Sequence, residues 1–370
     1  MIIIFSGFLL RIALIIYNIE IATLPGADAD AVHFHEEAQR YNIYLDTKDL
    51  LSGYKWDHAV GWIYAPFLGY FYNLFGTDSM YFSGLLSCFV WFLSALVFRK
   101  IMLKINYEKK KINLAILVYT FLIPTSIIYT AITLREVYML LFFNLFALSL
   151  VNIYYKSDIK KILLDSIIIL FTLFFLLTLH KGNLYFFVIF TPLMIIYYYI
   201  NKFTISKKTL FGLLIFIVFF LDYYGYGEII FDTIKNYQLG HFNIFPDRAT
   251  YYTRDGIQNM DYGPITIFIY AFKNFFYYFT EPAIYRIGNF KDVVLFCENT
   301  IRLILLVIII KKSLLRFNNK ILFIIFLTMA ILMEGIYAQG TVNWGTASRH
   351  HVPIMGIFIL LTFFPLRKFK

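Results

Sequence analysis

Charge is scarce in this sequence. Of its 370 residues only 15% are Asp, Glu, Lys or Arg, against about a quarter in ordinary soluble domains. A chain that is 60% hydrophobic, with a mean hydropathy of +0.69, cannot hide that much apolar surface in a soluble core. The same composition excludes a disordered or fibrous chain. Cysteine is nearly absent. Cys88 and Cys297 are too few for a disulfide framework, and both lie in or beside apolar runs where a packing role suits them. Internal repeats, low-complexity tracts, flexible linkers and pseudo-symmetric halves of the transporter kind are all missing. The first apolar stretch has no cationic start and no convincing small-x-small cleavage site, so it reads as a retained helix rather than a signal peptide.

What the sequence does have is long apolar runs, for example 112–128, 162–179 and 303–310. Crossing a hydrocarbon core of about 30 Å takes about 20 helical residues, so the chain reads as an all-α polytopic membrane protein. Its net charge of +10 is better explained by cationic loops facing anionic lipid than by nucleic acid. Five segments, 99–111, 156–161, 202–208, 311–320 and 367–370, hold 19 of the 33 Lys and Arg. The positive-inside rule places all five in the cytoplasm. Parity then gives about ten transmembrane helices near 2–19, 79–98, 112–131, 134–154, 162–179, 184–200, 209–223, 293–310, 321–339 and 351–366, with both termini cytoplasmic. Two further apolar stretches, 59–75 and 264–279, would break that parity. They read as helices lying along the outer interface, in the first and fourth outer loops, where their Trp, Tyr and Phe content suits them. The chain divides into a transmembrane module over 1–223 with a first outer loop at 20–78, a large outer loop at 224–292, and C-terminal transmembrane helices over 293–370.

Polar chemistry concentrates on the outer side of this topology. All seven histidines fall there, and of 23 acids only Glu108, Asp158 and Asp165 fall inside. Membrane bundles rarely host such groups without purpose, so the working face is expected to be extracytoplasmic. Asp28 and Asp30 follow a Pro-Gly turn just past the first helix. Asp30 reads either as a helix cap or as a general base acting on an acceptor hydroxyl at the membrane boundary. The pair is also a weak set of oxygen ligands for a divalent ion such as Mg or Mn, although the chemistry requires no cofactor. His33 and His35, two apart, do not share a helical face and are poor zinc ligands. Arg135-Glu136 sits at an outer turn, where the Arg can meet a phosphate with the Glu orienting it, or where the two simply form an interfacial ion pair. His180-Lys181-Gly182-Asn183 is a tight outer turn that places Lys181 at the surface, to meet a lipid phosphate or to snorkel. Arg349, His350 and His351 precede the last span and form a candidate clamp for a phosphate leaving group. Arg11 lies inside the first span, where a lone Arg costs about 2.5–3.5 kcal/mol on insertion scales. It is expected to face the bundle and pair with a carboxylate or a lipid phosphate.

These motifs, in this order, resemble the GT-C superfamily of membrane glycosyltransferases, closest to the branch with protein O-mannosyltransferases and the lipid A aminoarabinose transferase. Arg11 in the first helix precedes Asp30. Asp30, Phe34 and Ala38 keep an Asp, aromatic and Ala spacing, with Ala31 where the family carries a second acid. Trp62 to Pro66 and Leu74-Phe75-Gly76 are similar to the family's interfacial segment. Lys181-Gly182 opens the sixth helix, and Arg349-His350-His351-Val352-Pro353 is similar to an Arg-Tyr-x-x-Pro pattern, with His350 in place of Tyr. The likeness covers 1–205 and 340–366, and 224–292 matches nothing. It implies inverting transfer of a sugar from a polyprenyl-phosphate donor to a hydroxyl on a glycan, lipid or protein acceptor, at the outer face of the inner membrane. Asp30 would act as base, with Asp28 in support. Lys181, Arg135 and Arg349, together with His350 and Arg11, would bind the donor's phosphate and lipid, and His33, Glu136 and His180 are further candidates. Two other classes fit less closely. A capsule or O-antigen polymerase acting on pyrophosphate-linked repeats shares the outward Arg and His residues. A flippase without chemistry would need mid-membrane acids, whereas Asp165, Glu298 and Glu334 lie near helix ends.

Overall fold

The computed structural model describes residues 1–25, 27, 30–47, 63–155, 158–203, 225–244, 250–252, 254–315 and 319–365. They are about 82% helical and contain no strands. Six helices are long and apolar enough to cross a membrane: Ile2–Glu20, Met80–Lys104, Glu136–Tyr155, Ile159–Leu179, Phe290–Ser313 and Lys320–Gly340. The protein is therefore an all-α membrane protein. Gly182–Met194 is apolar but shorter.

In chain order the first helices are α1 (Ile2–Glu20), α2 (Asp30–Thr47), α3 (Tyr64–Phe75), α4 (Met80–Lys104), α5 (Lys109–Leu117), α6 (Pro124–Tyr129), α7 (Glu136–Tyr155), α8 (Ile159–Leu179) and α9 (Gly182–Phe203). Local chemistry sets their ends. The Ser79 hydroxyl accepts from the Phe82 amide at 3.2 Å and starts α4, and the Asp158 carboxylate accepts from the Lys160 amide at 3.1 Å and starts α8. Gly76, left-handed at φ 63°, ends α3.

The expected span at 112–131 is not one helix. Beyond α5 the backbone widens into a π-turn over Val118–Leu122, breaks at Ile123 and resumes in α6. Pro124 explains the break, because it has no N–H for the ladder and pushes the residue before it into extended geometry. The expected last span, 351–366, is helical only over Met355–Phe363, and residues 351–354 around Pro353 form turns. The stretches at 59–75 and 264–279 appear as α3, of 12 residues, and a helix at Pro264–Thr280, of 17 residues. The span expected at 209–223 lies outside the described residues.

The chain forms two compact units. The first comprises Met1–Leu184, Ile304–Ala330 and Arg349–Lys370, and the second Tyr185–Leu303 and Ile331–Ser348. In the first, α4 packs on α1 and α7, α7 on α8, and α2 on α3. The stripe Ala31, Phe34, His35, Ala38 on α2 is buried, at the spacing of one helical face. Its fit against α3 is close enough that a Cβ at Gly69 would meet the Ala38 carbonyl at 2.5 Å. Between α4, the π-turn and α7 runs a buried polar ladder. The Asn144 amide donates to Ser94 Oγ at 2.9 Å, and Ser94 and Tyr119 share a 2.9 Å hydroxyl contact. A Cβ at Gly356 would meet Asn144 Oδ1 at 2.3 Å. Gly356→Ala is therefore expected to displace Asn144, break the ladder and destabilise the fold by about 1–3 kcal/mol. Thermal unfolding of the purified variant checks this, and an unchanged midpoint would contradict it.

In the second unit, Phe231, Ile257, Tyr270, Tyr278 and Phe279 are buried. The Tyr251 amide donates to the Val342 carbonyl at 2.9 Å.

Candidate functional site

Within the first unit, four segments distant in sequence converge. Residues 131–140, the approach to α7 and its first turn, are all buried. Glu136 stands in that first turn, 1% exposed, where the positive end of the helix favours a carboxylate. Asp30 is the first residue of α2. Arg349 and His350 close the short helix Trp344–His350. Leu179 and His180 end α8.

The Arg349 guanidinium joins them. Its Nη1 donates to Asp30 Oδ2, and its Nε stands 3.0 Å from Glu136 Oε1. Glu136 is the inner partner, with 2% of its side chain exposed. Asp30 is the outer one, with 43% exposed. A second cation, Arg135, lies 3.9 Å from the same Glu136 oxygen and donates to the Leu179 carbonyl at 3.1 Å. Its guanidinium is 5.7 Å from the Phe34 ring centroid, so one residue of α2 touches each arginine. Behind Phe34, the Tyr64 and Tyr138 rings meet edge to face. The His180 and His350 rings meet edge to face at 5.6 Å, and the Gly182 amide donates to His180 Nδ1 at 3.0 Å.

Burial opposes charge on Arg349, but Glu136 and Asp30 outweigh it and push its pKa up, so it is a permanent cation. His350 is driven well below its ordinary pKa by burial and then by Arg349, His180 and Arg135. His180 is lowered likewise by burial, Arg135 and Arg349. Both imidazoles are neutral. The sign of the linkage follows. An unfolded histidine takes up a proton near pH 6.5 while the folded one refuses it, so stability falls as pH drops below about 6.5. The slope is up to about 1.4 kcal/mol per pH unit for His350. Between about pH 7 and pH 5 the unfolding midpoint is expected to fall, and less steeply in His350→Gln. Equal slopes for the two proteins would contradict this.

Of the residues singled out from the sequence, Asp30, Glu136, Arg135, Arg349, His180 and His350 are brought together. Lys181 is exposed on the turn beside His180 and forms no ion pair with the described residues. His33 is exposed on α2. Asp28 and Trp62 lie outside the described residues. Arg11 is fully buried on another face of α1, with Thr130, Gly7 and the Trp91 ring as partners, and among the described residues no carboxylate pairs with it. Of the two expected partners, a carboxylate or a lipid phosphate, the described residues supply no carboxylate, and the acceptors they do supply are neutral. Among the described residues no three of His, Cys, Asp and Glu gather as metal ligands. The guanidinium of Arg349 already stands between Asp30 and Glu136, so those two acids do not suit a divalent ion.

Sequence reasoning missed the setting of Asp30. His35, buried on the same helix, shares a 2.7 Å hydrogen bond with the Tyr72 hydroxyl and braces α2 on α3. It also missed a buried network in the second unit. There Arg286 pairs with Glu281 at 3.2 Å and stands 5.0 Å from the Trp344 ring centroid, and the Trp344 indole donates to Asp292 at 2.9 Å. The acids and the Trp were visible, but nothing in their spacing joined them. Comparison with protein-family models, curated proteins and solved structures returns no match.

Proposed function

We propose that this chain is an inverting membrane glycosyltransferase of GT-C type, moving a sugar from a polyprenyl-phosphate donor to an acceptor hydroxyl. In this reading it crosses the inner membrane about ten times, keeps both termini cytoplasmic and works at the extracytoplasmic face. One observation carries the reading: a half-exposed carboxylate, Asp30, is held by an arginine 319 residues away, and that arginine is backed by a buried carboxylate of its own.

Chemically, the arrangement suits an exchange. A donor phosphate entering beside Arg349 competes with Asp30 for the guanidinium. Arg349 then neutralises the phosphate, and Asp30 is released toward the acceptor. The acceptor oxygen attacks the anomeric carbon from the face opposite the phosphate and its proton passes to Asp30. The carbon–oxygen bond to phosphate breaks, and the electron pair leaves on the phosphate, where Arg349 and Arg135 stabilise the growing charge. Phosphate leaves well under such stabilisation, so no acid is needed. Glu136 keeps Arg349 in place when Asp30 lets go. Neutral His180 and His350 add hydrogen-bonding capacity beside the arginines without adding charge.

The test is reconstitution in proteoliposomes with a panel of undecaprenyl-phosphate-linked sugars and hydroxyl acceptors. Sugar transfer with inverted anomeric configuration supports the reading. Glycan from cells lacking the chain separates it from the polymerase class. Full-length chains missing one sugar support transfer, and single repeat units would replace it with polymerisation.

A further inference from the structure

The first helix carries a second feature that the proposed reaction does not use. Arg11 is fully buried, yet its partners among the described residues are all neutral. Its Nε donates to Thr130 Oγ1 at 2.7 Å and its Nη1 to the Gly7 carbonyl at 3.0 Å, and its guanidinium carbon stands 3.5 Å from the Trp91 ring centroid. A cation in an apolar interior normally has an anion beside it.

Donors are also left over around it. Arg11 Nη2, the Trp91 indole nitrogen and the hydroxyls of Thr120 and Ser126 are buried without a hydrogen-bond partner among the described residues. The residues that carry them pack near one another, around Gly7 and Thr130. A Cβ at Gly7, one turn before Arg11, would meet Thr120 at 2.1 Å and Trp91 at 2.7 Å. The hydroxyl of Thr130, which accepts from Arg11, donates to the Ser126 carbonyl at 2.6 Å. Thr120 and Ser126 flank the break at Ile123, where the helical ladder is interrupted, and such interruptions recur at functional sites.

We infer that Arg11 is the centre of a buried site for a monovalent halide-type anion, chloride in a cell. The guanidinium supplies the charge, and Thr120, Ser126 and Trp91 supply the remaining donors. The anion must be small, because Trp91 covers one face of the guanidinium and Arg11, Trp91, Thr120 and Ser126 are all buried. Its role would be to lock α1 onto α4 and the broken helix, and it stands independently of any glycosyl transfer.

The test is thermal unfolding of the full chain in detergent at constant ionic strength, with chloride exchanged for gluconate. Chloride is expected to raise the midpoint saturably, by roughly 5 °C. Bromide should substitute for it, and the effect should vanish in Arg11→Met. Equal midpoints in chloride and gluconate, or the same chloride shift in Arg11→Met, overturn the site. If Arg11→Met does not fold, Thr120→Val combined with Ser126→Ala keeps the guanidinium and removes two donors. The half-saturating chloride should then rise several-fold, and an unchanged value overturns the site equally.

Discussion

Asp30→Asn is expected to lower the rate of sugar transfer by about 100- to 10,000-fold, the range lost when a positioned general base is removed. Asn has the same shape and retains an oxygen to accept from Arg349, but it cannot take the acceptor's proton. Folding should survive. The Asp30 carboxylate is 43% exposed, and an ion pair of that exposure contributes at most about 1 kcal/mol. The buried partner of Arg349, Glu136, is untouched. The experiment measures transfer and the unfolding midpoint on the same preparation. Loss of transfer with a near-native midpoint supports Asp30 as the base. Full transfer by a properly folded variant would remove Asp30 from the mechanism.

The second large effect is on stability. Glu136 is the buried carboxylate that faces both Arg349 and Arg135, at 3.0 and 3.9 Å. Glu136→Gln keeps the volume and deletes the charge, leaving two largely buried guanidinium groups, of which Arg349 keeps the half-exposed Asp30. Removing one member of a buried ion pair typically destabilises by about 3–5 kcal/mol, because the remaining charge stays buried. The first turn of α7 also loses its favourable carboxylate. A large fall in the unfolding midpoint is expected. Arg349→Gln in the same chain should restore part of it, since the double change removes the stranded cation along with its partner. A Glu136→Gln protein as stable as the parent would mean that the arginines are compensated by some other group.

How far the sequence anticipated this depends on the kind of signal. Unbroken apolar runs translate directly into helices, so 79–98, 134–154, 162–179, 293–310 and 321–339 correspond closely to α4, α7, α8, Phe290–Ser313 and Lys320–Gly340. Apolar composition says nothing about breaks. The run at 112–131 is greasy throughout, and one missing N–H at Pro124 divides it. Pro353 likewise shortens the last helix. For the site, expensive polar residues at helix ends were the signal, and of those singled out Asp30, Arg135, Glu136, Arg349, His180 and His350 lie together. The same reasoning grouped Arg11 and Lys181 with them, because cost and sidedness cannot tell which face of a helix a residue occupies. Arg11 follows the buried positions Ile4, Gly7 and Ile15 of α1 instead. The Arg286, Trp344 and Asp292 network escaped notice because it joins residues with no shared periodicity.

The bond between Asp30 and Arg349 also has a consequence for biosynthesis. At about 5–20 residues per second, a ribosome delivers Arg349 some 15–60 s after Asp30. Until then Asp30 and Glu136 have left the exit tunnel without their common cation, and α7 carries its acid into the bilayer backed by Arg135 alone. On the proposed reading, the nascent protein lacks the cation that would bind the donor phosphate until its final tenth is made. A message truncated ahead of that late codon would leave Asp30 and Glu136 without the guanidinium that joins them.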